Sequence, residues 1–411
     1  MSEQSAKEKI CCILNHSIPV LMGIFIFFVP FPHTTAIKEI CLGLSIFIVA
    51  LLNFTKNGSF SFKSPFTIPF VLFTAWVFVG LFFALDKGNS IHDFRAHLLE
   101  YLCIYYLLTN FFNSSKRLMM LSWIIIISAA SFSIGGLSYF YLILQNPISA
   151  RFGFSHMMNI DLIGFVTIFA LLLSLHLFRL ENSVYHRIIL VFCLLGASIA
   201  TYLTMSRGSL IAACIALIAF FAKKSKWLTV WFIICSLIAL STVPALKARF
   251  SSDLLKDIRI GINLITLEIL KDYPIIGVGF GMETYGNKNF IDLEKYNVKI
   301  PPQYQCKGEM IRSPHNSLAD IAVRTGVVGF ALFLVVYVVF VCLCWKIIQY
   351  GKNDYIRDWG VCIMAAFISV FVQGLFADGM FGPQAITLYI ILAMITIVWH
   401  LNAEPDNTTT S

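Results

Sequence analysis

"RSPHNSLADIAVRTGVVGFALFLVVYVVFVCLCW" occupies residues 312–345. A helix needs about 20 mostly apolar residues to cross the hydrocarbon core of a bilayer. Residues 317–345 supply them, so the stretch predicts a membrane span. It opens with a cation, a proline, a titratable histidine and an asparagine: Arg312, Pro314, His315 and Asn316. What those groups do at the mouth of a span depends on which side of the membrane the mouth faces.

The rest of the chain has the same character. Of 411 residues, 58% are hydrophobic and 13% are charged. A soluble domain is nearer half apolar and about a quarter charged. With the excess spread along the whole length, the chain reads as an integral membrane protein. Its 38 Phe suit lipid-facing surfaces. The net charge of +8 has no soluble basic domain to carry it, so nucleic acid is not an expected partner. The 11 Cys lie mostly inside apolar runs, as at Cys193, Cys214, Cys235 and Cys362, where they act as small hydrophobes. Cys306 stands alone in a polar segment, and no disulfide framework is indicated. Residues 1–9 are polar and the apolar run after them reads as a first span, not a cleaved leader.

Twelve spans are predicted: 13–31, 37–54, 67–85, 93–112, 118–143, 158–178, 188–205, 208–222, 227–245, 317–345, 359–378 and 384–401. The fold class is therefore an all-α polytopic membrane protein with about 12 transmembrane helices and one large loop. The chain divides into residues 1–245 with spans one to nine, residues 246–316 as the loop, and residues 317–411 with the last three spans and a short tail. Cations concentrate in alternate short loops, at Lys7, Lys9, Lys56, Lys63, Lys116, Arg117, Arg179, Arg187, Lys223, Lys224, Lys226, Lys346, Lys352 and Arg357. The positive-inside bias makes those loops cytoplasmic. Both termini are then inside and the long segment is outside. Within it, Leu255, Ile258, Ile262, Ile265 and Ile269 recur at helical spacing and predict an amphipathic surface helix. "DYPIIGVGFG" (residues 272–281) follows as a turn rich in glycine.

Arginines on the outer face run against the usual charge bias. Arg151 lies in "NPISARFGFSH", Arg207 in the tight "TMSRGSL" turn between two spans, and Arg259 on the surface helix. Acids on this face are few: Asp86, Asp93, Asp378 and those of the loop. A guanidinium fork binds two phosphate oxygens at once, so an anionic ligand suits them. Each could instead snorkel to headgroups or pair with a loop acid. Arg207, embedded beside Gly208, is the one best read as a ligand residue.

His315 is the candidate general base, because imidazole titrates near neutral pH. The positive end of the helix beginning near Ser317 and nearby arginines would both disfavour the imidazolium, keeping His315 neutral and able to accept a proton. His92, His97 and His156 also lie toward the outer face but show no zinc-binding spacing. No role is assigned to them, to Arg95 or to Arg312. A Walker loop and a G-x-S-x-G elbow are both absent.

"SRGSL" opening the eighth span, "YPIIGVGFG" in the loop and "PHNSLADIAVRTGVVG" opening the tenth occur in this order around a large external loop. In topology and in these motifs the chain resembles the bacterial O-antigen ligase (WaaL) family, part of a wider superfamily of O-antigen ligases and polymerases. The resemblance implies a GT-C-like glycosyltransferase in the bacterial inner membrane with its site on the periplasmic side. It implies transfer of an O-antigen glycan from undecaprenyl pyrophosphate to a sugar hydroxyl of lipid A–core. It assigns the family's histidine to His315 and its arginine to Arg207. Arg259 and Arg151 match further pyrophosphate-binding arginines, although the loop helix lacks a usual Trp and "SHMMN" departs from the commoner G-x-x-x-x-P-N. Membrane lipids are further partners. No metal and no cofactor are implied, and inversion by a single general base is. An O-antigen polymerase using the same donor is the nearest alternative. A transporter or flippase is more remote, because it would need broken helices and ionisable groups within spans, and the spans read as mostly clean.

Overall fold

The computed structural model describes residues 3–55, 60–153, 160–223, 227, 230, 258–306 and 311–403. The predicted ninth span apart from residues 227 and 230, together with Leu255, Lys56, Lys224, Lys226 and His156, lies outside the described residues. Among those described there is no strand.

The helices are α1 (Glu3–Phe28), α2 (Thr35–Phe54), α3 (Thr67–Leu81), α4 (Lys87–Asp93), α5 (Glu100–Phe111), α6 (Ser115–Leu137), α7 (Ile160–Leu180), α8 (Val184–Leu203) and α9 (Arg207–Ala222). After the undescribed stretch come α10 (Ile258–Asp272), the short α11 (Leu293–Asn297), α12 (Ser317–Tyr350), α13 (Asp354–Gly374) and α14 (Gly382–Ala403). Helices occupy all eleven predicted spans that fall on described residues, and eight are long and apolar enough to cross a membrane. The chain is an all-helical, multi-pass membrane protein.

Short loops make consecutive helices antiparallel. The starts of α7, α9, α12 and α14 therefore share one end of the bundle with the ends of α8 and α13. α14 runs through the middle, with every residue from Gln384 to Val398 buried. A helix apolar on all sides belongs in such a position. α8 lies at the periphery and exposes Val184, Phe192 and Leu195, the surface expected to meet lipid.

Two spans differ from their sequence reading. The fourth starts earlier than residue 93: α4 enters through a π-helical turn, Phe94–Leu99, and continues as α5. The tenth is a helix broken at Gly326, whose φ is +69°. The broken turn leaves carbonyls without helical partners, and the glycine-rich loop and α3 take them. Val278 N–H donates to Val323 O (2.9 Å), Gly279 N–H to Arg324 O (3.1 Å), and the Trp76 indole to Thr325 O (2.9 Å). In return Val327 N–H donates to Pro274 O at 2.8 Å. Any Cβ on Gly326 would collide with the Ile275 carbonyl. "PIIGVGFG" is thus more than a turn: it is the cap of a discontinuous helix.

Candidate functional site

The first half of α12 carries His315 just ahead of it. Asn316 caps the helix, its side-chain oxygen accepting from Leu318 N–H (3.0 Å) and Ala319 N–H (3.2 Å). His315 itself is left-handed, with φ +50°, a conformation costing an ordinary L-residue roughly 1–2 kcal/mol. Asp378, in the turn between α13 and α14, holds it there. One carboxylate oxygen accepts the His315 N–H at 2.9 Å. The other accepts the Ser313 hydroxyl at 2.6 Å and lies 3.3 Å from His315 Nδ1. The turn fits closely against α12: a Cβ on Gly379 would stand 2.6 Å from Ser317 Oγ.

This partner reverses the expected electrostatics of His315. The Asp378 hydrogen bond raises the imidazole above its ordinary pKa, outweighing burial and the opposing charge of Arg259. The sequence reading had counted the helix end and the arginines but no carboxylate. Asp378 is depressed in turn: burial pushes it up, but the bonds from His315 and Ser313 prevail. With Nδ1 facing the carboxylate and the ring side chain 40% exposed, Nε2 is the nitrogen left to take a proton from a substrate.

The arginines gather around this pair unequally. Arg259, in the first turn of α10, acts electrostatically on His315. Asp161, in the first turn of α7, is within reach of Arg259, His315, Asp378 and Arg151. Arg151 also donates through Nε to Thr204 O at 2.6 Å, which ties it to the turn between α8 and α9. Arg207 is the first residue of α9, capped by Ser206. Its position is set by the backbone: a Cβ on Gly208 would come within 2.9 Å of the Phe376 Cβ, two residues ahead of Asp378. Arg207 therefore shares this end of the bundle with His315, but the structure gives no direct bond between them. His156 lies outside the described residues.

Sequence reasoning missed three contributors. Asp378 appeared only as one of several outer acids. The other two, Asp320 and Arg324, form a buried pair on the first half of α12, with Oδ1 to Nε at 2.6 Å. Arg324 also donates to the carbonyls of Gly281 and Met282, the latter at 3.2 Å, and lies 4.9 Å from the Phe381 ring centre. It thereby fastens the glycine-rich loop to the segment that positions His315. Their i,i+4 spacing in "LADIAVRTG" was the available signal. The tenth span is accordingly not clean. Its break is filled by the chain's own loop, unlike a broken helix that lines a transport pathway.

A second network joins the same loops. Asp93 accepts from Met282 N–H at 2.5 Å and faces His97 Nε2 at 3.6 Å; His97 Nδ1 meets the Tyr101 hydroxyl at 3.1 Å. Tyr101 accepts the Gly382 N–H at 2.7 Å. Among the described residues no three His, Cys, Asp or Glu converge as metal ligands.

The arrangement offers a carboxylate-supported imidazole beside cations suited to a diphosphate. Residues 189–334 match the family model for O-antigen ligase. The match covers a minority of the chain but includes Arg207, Arg259, His315, Arg324 and the break at Gly326; Arg151, Asp161 and Asp378 fall outside it. No curated protein matches the chain.

Proposed function

We propose that this protein is an O-antigen ligase of the bacterial inner membrane, acting on the periplasmic side. The donor is O-antigen polysaccharide linked to undecaprenyl pyrophosphate, and the acceptor is a sugar hydroxyl of lipid A–core. His315 Nε2 accepts the proton of that hydroxyl as its oxygen attacks the anomeric carbon. The bond from that carbon to the pyrophosphate oxygen breaks, with inversion and without a covalent intermediate. Asp378 orients the imidazole and stabilises the imidazolium formed. Arg207, Arg259 and Arg151 take up the charge of the leaving diphosphate, so the reaction proceeds without metal or cofactor.

The observation that carries this reading is the Asp378–His315 pair beside Arg259, with His315 and Arg259 inside the stretch that matches the O-antigen ligase family model. A second reading, polymerisation of lipid-linked repeats, uses the same donor chemistry, and the family match supports it as well. The lipopolysaccharide gel pattern of a deletion strain separates the two. Loss of all capped core with accumulation of lipid-linked polymer supports ligation. Core bearing a single repeat supports polymerisation instead.

A further inference from the structure

The end of the bundle opposite His315 holds a recess that the transfer reaction does not use. A cavity of about 1140 Å³ lies between the approach to α3, the second half of α12 and the end of α14. Its α12 wall is apolar, built from Val338, Val339, Cys342 and Leu343. Two cations, Lys63 and Lys346, line it and are exposed. A neighbouring cavity of about 510 Å³ shares Phe60, Ser61, Trp399 and His400 with the first. Its character is different: Asn15, Asn53, Asn110 and Asn113 line it. Asn110 is committed to the wall, donating to Ser61 O and Tyr106 O and accepting from Ser61 N–H. The recess thus joins an apolar groove that carries two lysines, through Phe60, Ser61, Trp399 and His400, to a chamber with four neutral amides on its wall.

That combination of chemistry matches one molecule. The groove runs along a helix whose neighbouring residues Val335, Val338 and Val341 are exposed, so it opens where hydrocarbon must lie. A soluble anion would gain nothing from such a wall. The lysines favour a net negative phosphate and disfavour a headgroup carrying its own cation. Side-chain amides both donate and accept, which suits hydroxyl groups. Trp399, amphipathic and at the end of its helix, belongs at the headgroup level. We propose that the recess binds one anionic phospholipid with a hydroxylated headgroup. Its acyl chain lies along Val338 and Leu343, its phosphate between Lys63 and Lys346, and its hydroxyls among the asparagines. The inference is independent of the transfer reaction, because the site lies at the other end of the bundle.

The test uses full-length protein, delipidated in detergent and titrated with phosphatidylglycerol, phosphatidic acid or phosphatidylcholine while intact complexes are weighed by native mass spectrometry. One phosphatidylglycerol should be retained in preference to the other two. A basic residue near an anionic headgroup contributes roughly five-fold, so Lys63→Ala/Lys346→Ala should weaken phosphatidylglycerol roughly 30-fold and leave phosphatidylcholine unchanged. Asn53→Leu/Asn113→Leu should erase the preference over phosphatidic acid. In the unaltered protein, Cys342 is exposed within the groove. Phosphatidylglycerol should slow its modification by maleimide, read at the peptide level, and glycerol phosphate should not. Full phosphatidylglycerol affinity in the lysine variant, equal retention of phosphatidylcholine, or unslowed modification of Cys342 overturns the proposal. Equal binding of phosphatidic acid overturns the hydroxyl assignment.

Discussion

Asp378 grips His315 at two points, accepting its backbone N–H at 2.9 Å and standing 3.3 Å from its Nδ1. The same carboxylate therefore fixes the left-handed backbone and the orientation of the ring. Asp378→Asn should keep the backbone bond, but its amide can donate to Nδ1 and select the tautomer with Nε2 protonated. Transfer should fall on the order of 100- to 10,000-fold, the range of a lost general base. Rates of purified variant, normalised to folded protein, check this. Activity within a few-fold of wild type would mean that the pairing has no catalytic role.

His315→Ala should lose transfer by about 100- to 10,000-fold while retaining donor binding, since the arginines are the groups proposed to hold the diphosphate. Only neutral imidazole accepts a proton, so the wild-type rate should fall as pH drops through the His315 pKa. Because that pKa is raised by Asp378, the fall should begin at higher pH than for a free imidazole. In Asp378→Asn the residual activity should lose its acid limb at lower pH. An acid limb that does not move contradicts the coupling.

Arg207→Ala should reduce transfer by about 100- to 1,000-fold, the usual cost of removing one group that stabilises developing anionic charge. Arg207→Lys should rescue only in part, because an ammonium lacks the bidentate fork. Arg151 and Arg259 variants should show weaker losses. EDTA should leave purified enzyme active. Metal-dependent turnover would require another carrier for the leaving-group charge.

Asp320→Ala should cost about 3–5 kcal/mol of stability by leaving the Arg324 cation buried beside a lost partner. Asp320→Leu/Arg324→Met should be milder, since it removes both charges. Unfolding in detergent, followed by helical circular dichroism, checks the order. If the double variant is as unstable as the single, the loop bonds of Arg324 matter more than its charge pair.

Single cysteines report the topology. In a background lacking exposed Cys12 and Cys342, Lys299→Cys should react with an impermeant maleimide from outside the inner membrane. Lys352→Cys should react only after the membrane is opened. A protected Lys299 position would put the site on the wrong face for a lipid-linked donor presented in the periplasm.

Helix positions were legible because a span announces itself by length and apolarity, whatever it packs against. His315 and Arg207 stand out in the sequence as candidates because each interrupts such a pattern. Asp378 was not. It lies 63 residues from its partner, and one acid in a turn looks like any other until the chain brings it home. The sign of the His315 shift was misread for the same reason: local sequence displays the helix end, and the stronger partner comes from another helix. Gly326 was equally hidden. A glycine inside an apolar run reads as tolerated, and what breaks the helix there is the backbone of residues 274–279 pressing into it.

The break at Gly326 also decides where this protein can be cut and joined. Residues 317–325 are continuous in sequence with a membrane helix, yet the carbonyls of Val323 and Arg324 and the Arg324 side chain are bonded to the loop. A chimera that imports a foreign loop and resumes the native chain at Ser317 would pair a new clasp with an old buckle. The natural junction for grafting a loop lies after Thr325, next to Gly326, whose conformation already divides the two pieces.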